Sequence, residues 1–138
     1  MVDTLQGRCF RGEVQFEFET PGVACVNCHC ESCRRQCSAP VATYIGVTDS
    51  QWRWTGAMPK SWCSSPGVER TFCGNCGSPV SFRSEKLSDT MHFYLVSLEQ
   101  PEAFQPTLHV AFEEKLCWLA ADDSLPKHHG PDYLNKDG

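Results

Sequence analysis

Six of the ten cysteines in this 138-residue chain fall in two short runs, Cys25-x-x-Cys28-His29-Cys30-x-x-Cys33 and Cys73-Gly74-Asn75-Cys76. Thiolates at such spacing can converge on one soft cation, whereas disulfides between near neighbours demand restrictive geometry. Cys28, Cys30 and Cys33 form a C-x-C-x-x-C pattern, so one tight loop can direct three sulfurs inward and fill three of zinc's four tetrahedral positions. Three protein ligands with an exchangeable fourth make a catalytic arrangement; four make a structural one. Spacing alone leaves open whether Cys25 or a distant cysteine closes the set. Cys73 and Cys76, with Gly77 available for a positive φ just after them, read as a knuckle that supplies half of a structural site. Its partners are either Cys25 and Cys28, as an enlarged zinc ribbon, or a group near Cys9.

The donor set constrains the chemistry. Three anionic sulfurs around Zn²⁺ leave a formal charge near -1, a poorer generator of hydroxide than a site of neutral histidines. Such a site suits a substrate thiol, keeping it ionised at neutral pH where a free thiol of pKa about 8.5 is mostly protonated. That sulfur could then add to a carbonyl carbon, and in reverse the site would stabilise the sulfur leaving group of a hemithioacetal.

The rest of the chain must position these sulfurs, and its composition allows it. One domain over residues 1–138 is expected, and 41% apolar residues suffice for a core without a disulfide framework. Residues 1–8 show neither a basic n-region nor an apolar h-region, and no apolar stretch approaches the length of a membrane span, so a reducing cytoplasm is expected. A net charge of -5 argues against a nucleic-acid partner.

The dominant period is two. Glu13 to Glu19 alternates strictly and predicts a half-buried strand with Val14, Phe16 and Phe18 on its inner face. Further strands are expected over Val41–Thr48, Val68–Phe72, Pro79–Arg83, Met91–Ser97 and Leu108–Phe112, with Lys115–Leu119 as a candidate short one. No amphipathic helix is evident, since Pro59, Pro66, Pro101, Pro106 and Pro126 interrupt the remaining segments. Residues 127–138 read as a loose tail.

In order along the chain, Gly7-Arg8-Cys9-Phe10-Arg11-Gly12-Glu13-Val14, Cys28-His29-Cys30-Glu31-Ser32-Cys33-Arg34, the run from Ser64 to Gly77 and the segment from Pro106 through Pro126 resemble the glutathione-dependent formaldehyde-activating enzymes, a family that includes centromere protein V-like proteins. The resemblance implies a mainly β, tent-like (Mss4-like), mostly antiparallel architecture with zinc-binding cysteine loops. It further implies that Cys28, Cys30 and Cys33 hold a catalytic zinc while Cys9, Cys73 and Cys76 belong to a structural one. The implied reaction is the reversible addition of glutathione, or a related thiol, to formaldehyde or another small aldehyde by a carbon-sulfur lyase. One departure stands out. Arg11 occupies the place of the opening motif's second cysteine, and a guanidinium cannot ligate zinc, so the structural site keeps three matched ligands and a weakened metal is expected.

Supporting roles are expected as follows. His29 makes an orienting hydrogen bond within its loop or transfers a proton, Arg34 and Arg35 offset thiolate charge, grip a substrate carboxylate or form a solvated pair, and His109 is a hydrogen-bonded core histidine or a site residue. Trp52, Trp54, Trp62 and Trp118 are expected in the core. Cys37, Cys63 and Cys117 lack motif partners, and Cys63 is the candidate replacement ligand. A noncatalytic zinc-stabilised interaction module is the competing reading, favoured if Cys25 joins the first site.

Overall fold

The computed structural model of the chain describes residues 3–21, 24–121 and 123–130. Ten strands form two sheets. β1 (Thr4–Arg8), β2 (Gln15–Glu19) and β5 (Trp52–Trp54) make a small antiparallel sheet in the order β1-β2-β5. The larger sheet runs β10-β3-β4-β9-β8-β7-β6, with β3 (Ala24–Cys28), β4 (Ala42–Thr48), β6 (Lys60–Ser65), β7 (Val68–Phe72), β8 (Pro79–Ser84), β9 (Thr90–Tyr94) and β10 (Leu108–Val110). Its pairings are antiparallel except β10 with β3. The architecture is the mainly β, antiparallel-rich one expected.

Side-chain alternation divides the interior in two. The strict alternation of β2 puts Phe16 and Phe18 into the space between the sheets, where Phe16 stacks on Phe93 at 3.9 Å between ring centroids. Ile45 and Val47 of β4 and Met91 and Phe93 of β9 meet them there, with Cys25, Cys9 and Cys73 in the same cluster. Tyr44 of β4, Tyr94 of β9 and Val26 and Cys28 of β3 point to the opposite face and form a second cluster with Cys33, Val110 and Ala111. Within the small sheet, Gly7 of β1 lies opposite Phe16 of β2, whose ring folds across it: a Cβ at Gly7 would lie 2.2 Å from that ring, so only glycine fits that position.

Several expectations are corrected. Glu31–Cys37 forms α1, a seven-residue helix too short to display an amphipathic period, with Cys33 its one buried residue. Lys115–Leu119 is a turn closed by Leu119 N–H to the Leu116 carbonyl at 3.1 Å, not a strand. The expected strands Met91–Ser97 and Leu108–Phe112 shorten, giving way to 3-10 turns over Leu95–Ser97 and Phe112–Glu114. Trp62 and Trp118 are exposed, whereas Trp52 and Trp54 pack partly buried against the core. Phenylalanines and aliphatic residues fill the narrow space between the sheets, and the bulkier indoles are held at its rim or outside. Of the tail expected to be loose, residues 127–130 are hydrogen-bonded to the β10 region: His128 N–H to the His109 carbonyl at 2.8 Å and Ala111 N–H to the Gly130 carbonyl at 3.0 Å. Residues 131–138 lie outside the described residues. No helix among the described residues is long and apolar enough to cross a membrane.

Candidate metal centre and adjoining cavity

Cys28, Cys30 and Cys33 come together because a strand end and a helix start share one tight connection. β3 ends at Cys28 with its side chain on the second-cluster face; Cys30 is the N-cap of α1, its sulfur accepting the Cys33 N–H at 3.3 Å; Cys33 then turns inward from the first helical turn. The three sulfurs lie within 4.8 Å of one another. Zinc-sulfur bonds of about 2.3 Å would hold tetrahedral ligands about 3.8 Å apart, so the donor set fits zinc in kind and in spacing. No other His, Cys, Asp or Glu among the described residues joins this group. Cys25 is excluded by strand parity: an odd offset from Cys28 on β3 sends it through the sheet to the core between the layers. The enlarged-ribbon alternative fails with it, since Cys73 and Cys76 gather around Cys9 instead.

The triad is electrostatically prepared on one side. Cys33 is held far below the ordinary thiol range by hydrogen bonds from the Cys28 and Cys30 thiols, with Tyr44 and the Arg70 charge adding to the effect. Cys28 moves the opposite way, since it donates to its neighbours, is buried, and faces their charge. One negative charge is thus comfortable on Cys33, whereas three require a bound cation.

Arg70, inside the run from Ser64 to Gly77 and not singled out by the sequence, is the buried charge of the site, 3% exposed. From β7 it donates Nε to Ser64 Oγ at 2.9 Å, Nη1 to Tyr44 Oη at 3.5 Å and Nη2 to Cys33 Sγ at 3.6 Å, and its guanidinium lies 5.4 Å from the Phe82 ring centre. The signal was present in the alternation of Val68, Arg70 and Phe72, which puts the arginine on the same side of β7 as two apolar residues.

Beside the triad opens a cavity of about 290 Å³, walled by Val26, Val68, Phe82, Leu87 and Val110 and floored by the cysteines, Tyr44 and Arg70. His92 also lines it, stacked on Phe82 at 4.8 Å and edge-on to Tyr44 at 6.2 Å. Burial lowers the His92 pKa from 6.5 to about 4. The unfolded chain binds this proton below pH 6.5 and the folded one only near pH 4, so stability is full above that window and falls as pH drops through it. The expected loss at pH 4 is about 3 kcal/mol. Urea midpoints between pH 7.5 and 4 should decline more steeply for the native chain than for His92→Phe; parallel declines would show that His92 is not the group responsible.

His29 turns away from the triad. Its ring Nε2 meets His109 Nδ1 at 2.8 Å, and His109 Nε2 meets the Asp123 carboxylate at 3.0 Å. The carboxylate, held down to about 2 by His109 and then Lys127, accepts from His109, so His109 in turn accepts the His29 Nε2–H. The orienting hydrogen bond expected of His29 therefore reaches across to β10 rather than staying within its loop. Asp123 is the partner that sequence reading missed, and only the turn of residues 123–127 brings it there. Arg34 is not part of a solvated pair: its Nε donates to the His29 carbonyl at 2.9 Å and Nη2 to the Glu114 carbonyl at 3.3 Å. Arg35 is exposed and pairs with Glu31 at 2.7 Å.

The second triad, Cys9, Cys73 and Cys76, also has its sulfurs within 4.8 Å. Cys76 is lowered to about 6, first by the Ser78 hydroxyl and then by the backbone N–H groups of Arg11 and Ser78. Arg11 itself is exposed, and Cys63 is exposed on β6 and absent from the group. Each triad could hold a metal ion.

Comparison with known proteins places the chain among relatives. A curated Schizosaccharomyces pombe protein, described as an uncharacterized lyase, is 32% identical over 79 residues, 56% of this chain and 56% of its own length. The chain thus spans little more than half of that relative. A Rhodobacter sphaeroides protein of known crystal structure shares the fold, with a TM-score of 0.59 at 20% identity over 68% of this chain and 87% of its own. The model of the glutathione-dependent formaldehyde-activating enzymes matches residues 4–114, a span that contains both cysteine triads, Arg70 and His109, and the chain belongs to that family.

Proposed function

We propose that the protein is a zinc-dependent carbon-sulfur lyase that reversibly adds glutathione or a related thiol to formaldehyde or another small aldehyde. The observation that carries this reading is a set of three convergent sulfurs, without a fourth His, Cys, Asp or Glu among the described residues, at the floor of a cavity of about 290 Å³. In this reading Cys28, Cys30 and Cys33 hold the catalytic zinc. A zinc ion there would supply a Lewis acid that keeps a substrate thiol ionised at neutral pH. A free thiol of pKa about 8.5 is only about 3% ionised at pH 7, so full ionisation alone is worth about 30-fold in rate.

The chain's own residues do the rest. Arg70 offsets the charge of the thiolates through Cys33, the His29–His109–Asp123 series holds the Cys28–Cys30 loop, and the apolar wall excludes water from the reacting carbon. Cys9, Cys73 and Cys76 would hold a second zinc, weaker because Arg11 replaces the further cysteine of the family pattern. Ten unpaired thiols are consistent with a reducing, cytoplasmic setting. The position of Cys25 in the other core supports the enzyme over a noncatalytic module.

The test is direct. Metal analysis should find two zinc equivalents, one of them yielding first to a mild chelator, and NMR exchange spectroscopy at pH 7 should show glutathione-formaldehyde exchange accelerated at least about 30-fold over buffer. Exchange equal to buffer by the fully metallated protein, with glutathione and formaldehyde and with longer alkanals and alkanethiols alike, would leave the module reading in its place.

A further inference from the structure

The cavity's wall and mouth carry information about the substrate beyond the reacting atoms. Its wall is aliphatic and aromatic: Val26, Val68, Phe82, Leu87 and Val110. The buried cation, Arg70, is already matched by Cys33, Tyr44 and Ser64. At the rim stand Lys86, Glu85 and Glu114, one cation against two carboxylates, all exposed. Glutathione carries two carboxylates and one ammonium. A rim of this sign gives such a ligand little net attraction, and the three serines that line the cavity, Ser32, Ser65 and Ser84, are few against the peptide groups and charges of a tripeptide. Formaldehyde, for its part, would leave most of the wall uncovered. At about 290 Å³ the space sits at the small end of ligand pockets, where a compact apolar group is the best match.

Building on the lyase reading, we infer that the site selects hemithioacetals bearing an apolar substituent of several carbons, which lies against Val68, Phe82, Leu87 and Val110. The reaction itself is unchanged: the thiol sulfur bonds the carbonyl carbon, the C=O π pair moves to oxygen, and the thiol proton ends on that oxygen. The reverse breaks the same carbon-sulfur bond, and no oxidant or reductant enters. The apolar group can arrive on either reactant, as an alkanal or as an alkanethiol.

Two measurements on the zinc-loaded full chain test this. Calorimetric binding of ethanethiol, butanethiol and pentanethiol should tighten about fourfold per methylene, roughly 60-fold across the series. NMR exchange, corrected for the buffer rate, should show the same gradient in kcat/KM for glutathione with formaldehyde, propanal and pentanal if the aldehyde brings the group, or for formaldehyde with the three alkanethiols if the thiol does. Val68→Phe, which fills the wall, should flatten the gradient; the native series stands by itself if that variant fails to fold. Graded binding without exchange would keep the ligand class and end the lyase reading. Flat binding with glutathione-formaldehyde exchange would end this inference and keep the lyase, and flat binding without exchange would end both.

Discussion

Cys30→Ser is expected to remove one zinc equivalent and to lower thiol-aldehyde exchange, corrected for the buffer rate, by at least about 100-fold while leaving the fold in place. The separation of these effects follows from the two duties of Cys30. Its sulfur caps α1 by accepting the Cys33 N–H at 3.3 Å, and serine is a preferred N-cap residue, so the hydroxyl takes over that bond. What serine does not replace is the third soft anionic donor. Loss of groups that merely orient metal ligands costs 10- to 100-fold in affinity or activity, and loss of a ligand should reach at least the upper end of that range. Metal content by mass spectrometry, far-ultraviolet circular dichroism and NMR exchange on one preparation check all three parts. A variant that keeps both metals and the native exchange rate would remove Cys30 from the site.

Arg70→Met should be the most damaging change at a residue that is not a candidate ligand. The side chain is 3% exposed and its fork makes three contacts, to Ser64, Tyr44 and Cys33. Methionine fills much of the volume but leaves the Cys33 thiolate without its countercharge, and breaking a buried charge pair by removing one partner costs about 3–5 kcal/mol. Metal affinity at the first triad should fall by about 10- to 100-fold as the charge balance is lost. Arg70→Lys should recover part of the affinity and little of the rigidity, because an ammonium restores the charge without the planar fork that reaches three acceptors at once. Denaturant titration and chelator competition measure the two effects separately. A Met variant within 1 kcal/mol of the native protein and with unaltered metal affinity would show that Arg70 only fills space.

How much of this was legible beforehand depends on the range of the interaction. The alternation from Glu13 to Glu19 forecast β2 with Phe16 and Phe18 inward, and the buried Val14 just ahead of it, because a strand facing a core has a period of two. The chain from Ala24 to Cys28 carries the same kind of information, and reading it as a strand would have separated Cys25 from Cys28 at once. It was obscured because adjacent residues of this strand, Cys25 and Val26, are buried on opposite faces, so it lacks the apolar-polar alternation that marks a half-buried strand. α1 escaped notice for a different reason: seven residues hold less than two turns of period, and the helix rests on its caps and on Cys33. Trp62 and Trp118 were misplaced because burial depends on how much space two sheets leave between them, which no single residue type reveals.

By itself the sequence determined the chemistry of the donors: three sulfurs spaced so that one loop can gather them, and a second trio named through a family pattern, with Arg11 where that pattern has a further cysteine. These are matters of residue identity and of separations shorter than a turn or strand end, where the chain has few alternatives. The tertiary structure alone decided what surrounds the sulfurs. Arg70 reaches Cys33 across 37 positions of sequence, Asp123 steadies His29 through His109, and Val68, Phe82 and Val110 wall one cavity from three different strands. Such meetings depend on strand order and on which face each side chain takes, and both are settled only when the two sheets close on a shared core.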